Sequence, residues 1–140
     1  MSEVDHGAEA RRWLEYAADD LRTAEFLLQQ PDFIARHPCW LAQQAAEKAL
    51  KALLIFLQIE YPFSHDLDQI RLLIPEGWRV RYDPPDLSFL TEWAVEARYP
   101  GDWPDATEVD AQEATDQART VLEYVRGDLA RHGLERGDVR

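Results

Sequence analysis

The residue of this sequence best placed to do chemistry is Arg98, within the stretch VEARYPGDWPDAT at residues 95–107. On a helical wheel Arg98 falls about 20° from Leu87, so its guanidinium is predicted to point along the apolar stripe of a helix that ends here. Such a group needs a carboxylate, a carbonyl or an anionic ligand, because an unpaired buried charge is costly. Asp20 and Glu47 are candidate acids for an internal ion pair. The alternative is an arginine that binds a ligand.

A second candidate lies in SHDLDQI, residues 64–70. An imidazole beside a carboxylate, here His65 and Asp66, is a usable acid-base pair. The structural alternative is a helix start with Asp66 in its first turn, where a negative charge favours the helix dipole. Neighbouring residues of a helix do not face each other, which favours this alternative.

Other familiar chemistries have no support in the sequence. The histidines at 6, 37, 65 and 132 show no paired helical spacing that would aim two imidazoles at one metal, so no metal site and no cofactor are expected. The sequence contains no nucleophile elbow of the hydrolase type, no phosphate-binding glycine loop and no dinucleotide-binding motif. Cys39, the single cysteine, is interpreted as a packing residue and cannot form an internal disulfide.

Length and charge limit the class of protein. The chain has 140 residues and a formal charge of −12, from 15 Lys and Arg against 27 Asp and Glu. Such a charge disfavours general adhesion to nucleic acid, which requires many cationic phosphate contacts. No segment has the length and apolar character of a membrane span or signal peptide, so a soluble, cytoplasmic protein is expected.

The apolar periodicity predicts an all-α, up-and-down bundle of four to five helices with no strands. The first helix is predicted from Glu9 to about Gln29, and the second from about Pro38. The third takes Ser64 as its N-cap, the fourth takes Asp83 as a cap with Pro84 in its first position, and the last begins at Thr107 with a capping box. Residues 9–131 are predicted to form one domain between flexible tails at 1–8 and 132–140.

The second predicted helix carries a polar strip with unusual neighbours. The strip contains Gln43, Gln44, Glu47, Lys48 and Lys51. Large apolar residues project into the same sector, so the strip is not expected to face only water. The following LLIFL, residues 53–57, is apolar all round, which implies cover by a partner subunit or burial as the central helix of its own domain.

Three stretches in this order carry a resemblance to a known family: QQAAEKALKALLIF, SHDLDQI and ARYPGDW. Together with the opening YAADDLRTAEFLL, they resemble the HEPN family, named for nucleotide-binding domains of higher eukaryotes and prokaryotes. The match covers about residues 9–131. The resemblance implies a helical bundle that pairs as a homodimer and, in prokaryotes, often accompanies a minimal nucleotidyltransferase, frequently as toxin and antitoxin.

Many HEPN proteins are metal-independent ribonucleases that use an arginine and a histidine separated by four to six residues. Arg98 matches the arginine, but the histidine window holds Trp103, Pro104 and Asp105. None of these is a neutral-pH proton carrier. The resemblance therefore favours a binding role over cleavage, with His65 as the one alternative source of an imidazole for a ribonuclease.

The sequence hypothesis is a homodimer that serves as the nucleotide- or substrate-binding partner of a minimal nucleotidyltransferase. Arg98 would bind a phosphate, and Tyr99 would stack or hydrogen-bond. Lys48 and Lys51 would add positive charge, with Gln44 and His65 completing the predicted ligand site. Contact with a membrane is not expected, and nucleic acid is expected only as the RNA of the ribonuclease alternative.

Overall fold

Among the residues that the structure describes, three long helices form the body of the bundle, and two short helices pack on it. The computed structural model describes residues 5–94 and 100–134. Within these ranges the helices are α1 (His6–Leu28), α2 (Arg36–Phe56), α3 (Leu67–Arg71), α4 (Ser88–Thr91) and α5 (Glu108–Arg131), with a 3-10 turn at Arg79–Arg81. The described part of the chain contains no strand, which confirms the predicted all-α fold.

Helix α2 is the centre of the bundle. It packs most extensively on α1 and α5, and it also contacts α3 and α4. Leu50, Leu53 and Leu54 are fully buried inside the single chain. The apolar run at residues 53–57 is thus explained in large part by burial within its own domain, the second of the two predicted alternatives.

The predicted start of α5 is confirmed. Thr107 Oγ1 accepts a hydrogen bond from the Asp110 backbone N–H at 3.0 Å, and the Thr107 N–H donates to the Asp110 carboxylate at 3.0 Å. This reciprocal pair satisfies two helix-terminal donors, as a capping box requires. Aspartate can take the place of the more usual glutamate because its shorter side chain still reaches the cap.

Two helix starts were predicted at the wrong residue. Helix α1 begins at His6 rather than Glu9, because the Asp5 side chain caps it by accepting from the Ala8 N–H. Helix α3 is capped by Asp66, which accepts from two backbone N–H groups, and not by Ser64. Ser64 Oγ instead accepts from the Asp66 N–H and shapes the turn before the helix.

The predicted start of the fourth helix at Asp83 and Pro84 is also wrong. The chain uses this segment for tertiary contacts: the Pro84 carbonyl accepts from the buried Arg71 guanidinium, and the Leu87 N–H donates to Asp68 at 3.3 Å. Helix α4 therefore begins only at Ser88. Leu87, Leu90 and Ala94 are buried, as the predicted stripe requires. However, α4 ends at Thr91 and residues 92–94 form a turn, so the continuous helix from which Arg98 was placed beside Leu87 is interrupted.

The chain remains packed on the bundle beyond the end of α5. The His132 ring stacks on Trp78 with centroids 3.7 Å apart, and Leu134 is buried. The residues around Trp78 are in turn fixed to α5 by Asp128, whose carboxylate accepts from the backbone N–H groups of Arg79 and Val80 at 3.1 and 2.9 Å. His132 and Leu134 both fall within the tail predicted from the sequence. None of the described helices is long and apolar enough to cross a membrane.

Candidate functional site

A group of polar side chains surrounds Glu47 in the middle of α2. We call it the Glu47 cluster; its members are Gln43, Gln44, Glu47, Lys51 and His65. The Glu47 carboxylate accepts from Lys51 Nζ at 2.8 Å and from Gln43 Nε2 at 3.0 Å. Its Oε1 also lies 2.9 Å from His65 Nδ1. Gln44 joins the network by donating to Gln43 Oε1 at 2.8 Å.

The helix geometry places most of this cluster. Gln43, Glu47 and Lys51 follow one another at four-residue steps and therefore share one face of α2. That face is buried, with Gln43 fully inaccessible to solvent. The prediction that the polar strip does not face only water is confirmed, and its cover comes from the same chain.

The loop before α3 supplies the histidine. The backbone carbonyl of His65 accepts from Gln43 Nε2 at 3.3 Å, and the Leu67 N–H donates to Thr91 Oγ1 of α4 at 3.0 Å. These contacts hold the loop against both α2 and α4. His65 therefore approaches Glu47 across 18 residues of chain. Asp66 caps the helix, which confirms the favoured alternative of a helix start over an acid-base pair with His65.

The Glu47 carboxylate is ionised in this setting. Burial by itself raises the pKa of a carboxyl group, but the hydrogen bonds from Lys51, Gln43 and His65 outweigh it and hold the pKa of Glu47 below its ordinary value. An ionised carboxylate can only accept hydrogen bonds, so His65 Nδ1 carries the shared proton. The cluster thereby fixes both the tautomer and the orientation of the imidazole.

Lys51 and His65 differ in access to solvent. The Lys51 side chain is 10% exposed and its ammonium lies 5.2 Å from the centroid of the Tyr61 ring, which covers it. The His65 side chain is 38% exposed. Of Lys51, Glu47 and His65, His65 is thus the residue that a ligand can reach, while Lys51 acts on it through Glu47.

Lys48 belongs to a different surface. Its ammonium forms an ion pair with Asp20 of α1 at 2.5 Å, in a partly exposed position. Of the six predicted site residues, the structure brings Gln44, Lys51 and His65 into one cluster and places Lys48 apart from them. The two acids considered as partners for Arg98 are both engaged, Asp20 with Lys48 and Glu47 with the cluster.

The remaining predicted site residues, Arg98 and Tyr99, lie outside the described residues. The predicted histidine window at 103–105 is exposed and follows directly on the turn at Gly101, where a positive φ of 90° suits glycine. No group of three or more metal-binding side chains occurs within residues 5–94 and 100–134.

Sequence reasoning missed the role of Gln43 and Glu47 as the centre of the site. The signal was present in the four-residue spacing of Gln43, Glu47 and Lys51, which is the spacing of side chains that meet on a helix. What the sequence could not supply was the tertiary partner, because His65 reaches Glu47 only once α3 and α4 have packed.

The comparisons with known proteins identify the family. The model of the HEPN domain matches residues 10–128, which is most of the chain. An all-helical protein with this match belongs to the HEPN family, and the resemblance found in the sequence is confirmed.

Two solved structures are similar over nearly their whole length. TT1696 from Thermus thermophilus shares 32% identity at a TM-score of 0.70, covering 85% of this chain and 97% of that protein. ST0689, described as an archaeal HEPN homologue, shares 28% identity at a TM-score of 0.65, covering 84% of this chain and 95% of that protein. A comparison with curated proteins gave no match.

Proposed function

We propose that this HEPN domain is the homodimeric, nucleotide- or substrate-binding partner of a separately encoded minimal nucleotidyltransferase, and that the two proteins form a toxin-antitoxin pair. The observation that carries the proposal is the Glu47 cluster. It presents one partly exposed imidazole, His65, in a fixed orientation on a chain whose formal charge is −12. A rigid, oriented polar group of this kind suits recognition of a defined ligand.

The members of the Glu47 cluster have different roles in the proposed ligand site. His65 contacts the ligand, because it is the accessible member, and Glu47 holds its ring. Lys51 lies too deep for direct contact and offsets the negative charge of Glu47. Gln44 is half-buried at the edge of the network and can hydrogen-bond a ligand through groups that Gln43 does not occupy.

Arg98 and Tyr99 complete the proposed ligand site. Arg98 would grip a phosphate through paired N–H groups, and Tyr99 would stack on a base or donate a hydrogen bond. Lys48 lies on a different surface and is paired with Asp20, so its contribution to the site is expected to be small.

The partnership is tested by sedimentation velocity on the purified chain, alone and mixed with the nucleotidyltransferase encoded beside it. Alone, the protein is expected to sediment at about twice the 16.2 kDa mass of one chain. With the nucleotidyltransferase, both proteins are expected in one faster boundary at micromolar concentration. A monomer that never joins the second protein, or a neighbouring gene of another class, contradicts the proposal.

One observation favours a second function, a metal-independent ribonuclease with a non-standard histidine. His65 Nδ1 lies 2.9 Å from the Glu47 carboxylate, and a carboxylate-oriented imidazole is the usual form of a histidine that transfers protons. In this alternative Arg98 would stabilise charge on the phosphate while His65 moves the proton.

Incubation with single-stranded RNA separates the two functions. The binding proposal predicts no cleavage by wild type above a buffer blank. The ribonuclease alternative predicts cleavage that falls by about 100-fold or more in His65→Ala and in Arg98→Ala. Cleavage that neither substitution changes would come from a contaminating nuclease.

A further inference from the structure

A cavity of about 620 Å³ lies between α1 and the C-terminal part of α5. Its walls are formed by residues of α1 between Arg11 and Arg22, by Arg126, Leu129 and Ala130 of α5, and by Leu134. None of the Glu47 cluster lines it. The volume is within the range of small-molecule sites, about 300–1,000 Å³.

The walls combine apolar surface with positive charge. Leu14, Ala18, Leu129 and Leu134 supply the apolar part. Three arginines and two acids line the cavity, and one of these arginines, Arg22, is already paired with Asp19. Arg11 and Arg126 then share one lining acid, Glu15, which lies on the same helix as Arg11. An excess of positive charge is unusual in a chain with 15 basic and 27 acidic residues.

Arg11 carries the decisive observation. Its Nη1 is buried and has no hydrogen-bond partner among the residues that the structure describes. A Cβ built on Gly7 would lie 3.6 Å from this atom and 3.2 Å from a Leu134 methyl group, so the guanidinium lies where the first turn of α1 meets Leu134. A buried guanidinium nitrogen without an acceptor is costly. Although this atom itself is shut off from solvent, the Arg11 side chain lines the cavity, where an anionic group would balance its charge.

We propose that this cavity binds a small organic anion that joins an oxyanion head, phosphate or carboxylate, to an apolar body. Arg11, on the α1 wall, binds the head, and the more exposed Arg126, on the α5 wall, contacts it from the other side. The apolar body packs between the leucines of α1 and α5. This site is separate from the nucleotide site proposed above, and neither depends on the other.

The test uses four probes in calorimetric titrations of the full chain. 1-Naphthyl phosphate and 1-naphthoate carry both parts of the proposed ligand and distinguish the two head groups. Inorganic phosphate carries the charge alone, and 1-naphthol carries the apolar body alone. At least one of the two complete probes is expected to bind about tenfold more tightly than either partial probe.

Two matched substitutions locate the binding. Arg11→Gln is expected to weaken the better complete probe by about tenfold, and Arg126→Gln by about threefold. Arg12→Gln is the control, because Arg12 is the next residue of α1 but is exposed and paired with Glu9. Arg126 is exposed on α5, so its substitution remains informative if the Arg11 variant fails to fold.

Either of two results overturns the inference. One is the absence of binding by both complete probes at millimolar concentration. The other is equal affinity of wild type, Arg126→Gln and Arg12→Gln. His65→Ala is expected to bind the probe as wild type does, because His65 does not line the cavity. Failure of the proposed nucleotide site can therefore be distinguished from failure of this site.

Discussion

Replacing Glu47 with leucine is expected to lower the free energy of unfolding by about 3–5 kcal/mol. The carboxylate is buried and accepts hydrogen bonds from Lys51 and Gln43 at 2.8 and 3.0 Å. Without it the Lys51 ammonium stays buried, 10% exposed, with no acid to balance its charge. Urea unfolding followed by tryptophan fluorescence measures the loss.

A double substitution separates the loss of the Glu47–Lys51 ion pair from the cost of leaving the Lys51 ammonium buried without a partner. Glu47→Leu combined with Lys51→Met is expected to recover much of the stability, because the unpaired ammonium is then gone. Asp20→Ala serves as the control, since it removes the partly exposed acid paired with Lys48 on the same helix and is expected to cost about 1 kcal/mol or less. Equal losses for Glu47→Leu and Asp20→Ala would contradict the assigned role.

The same carboxylate makes stability depend on pH. Because the folded-state pKa of Glu47 lies below its ordinary value of 4.5, its contribution to stability is fully present above that pH and is lost as the pH falls through the folded-state pKa. The difference in stability between wild type and Glu47→Gln is therefore expected to shrink as the pH is lowered below 4.5.

Replacing Asp128 with alanine is expected to cost about 2–4 kcal/mol. Asp128 is fully buried, and its two oxygens accept from the backbone N–H groups of Arg79 and Val80 while also contacting the Arg131 guanidinium. Alanine leaves two backbone donors without an acceptor beneath the 3-10 turn. The loss is measured by urea unfolding.

Two further variants test whether the loss of stability is specific to the Asp128 carboxylate. Asp128→Asn keeps one acceptor oxygen and is expected to lose less than alanine does. Asp116→Ala removes an exposed acid from the same helix, one that pairs with Arg119, and is expected to cost at most about 1 kcal/mol. An Asp128→Ala variant as stable as Asp116→Ala would show that the turn does not depend on this carboxylate.

The features that the sequence predicted correctly are those with local causes. The capping box at Thr107 depends on two residues three positions apart, and the polar strip of α2 depends on the helix period alone. The family resemblance was confirmed by the match of the HEPN model to residues 10–128. In the first two cases the residues that form the sequence pattern are the same residues that form the structural feature, the capping box or the polar face of α2.

The starts of α1 and α3 were missed because of the local caps Asp5 and Asp66, whereas the start of the fourth helix was missed because tertiary contacts override local preference. Asp83 and Pro84 have the chemistry of a helix start, yet the Pro84 carbonyl is taken by Arg71, which is distant in sequence. For His65 the sequence correctly favours a helix start at Asp66 over an acid-base pair, but it gives no sign of the partner that the imidazole contacts. Its partner Glu47 became evident once the loop, α2 and α4 were placed together.

The central claim is that this HEPN protein binds a nucleotide or nucleotide-like substrate through His65 and Arg98, and its most direct test is a calorimetric titration with ATP. Wild type, with the nucleotidyltransferase present, is expected to bind. His65→Ala and Arg98→Ala are each expected to weaken binding by about tenfold, and Arg12→Ala is expected to leave it unchanged. Absence of ATP binding by wild type, both alone and with the nucleotidyltransferase, would contradict the claim.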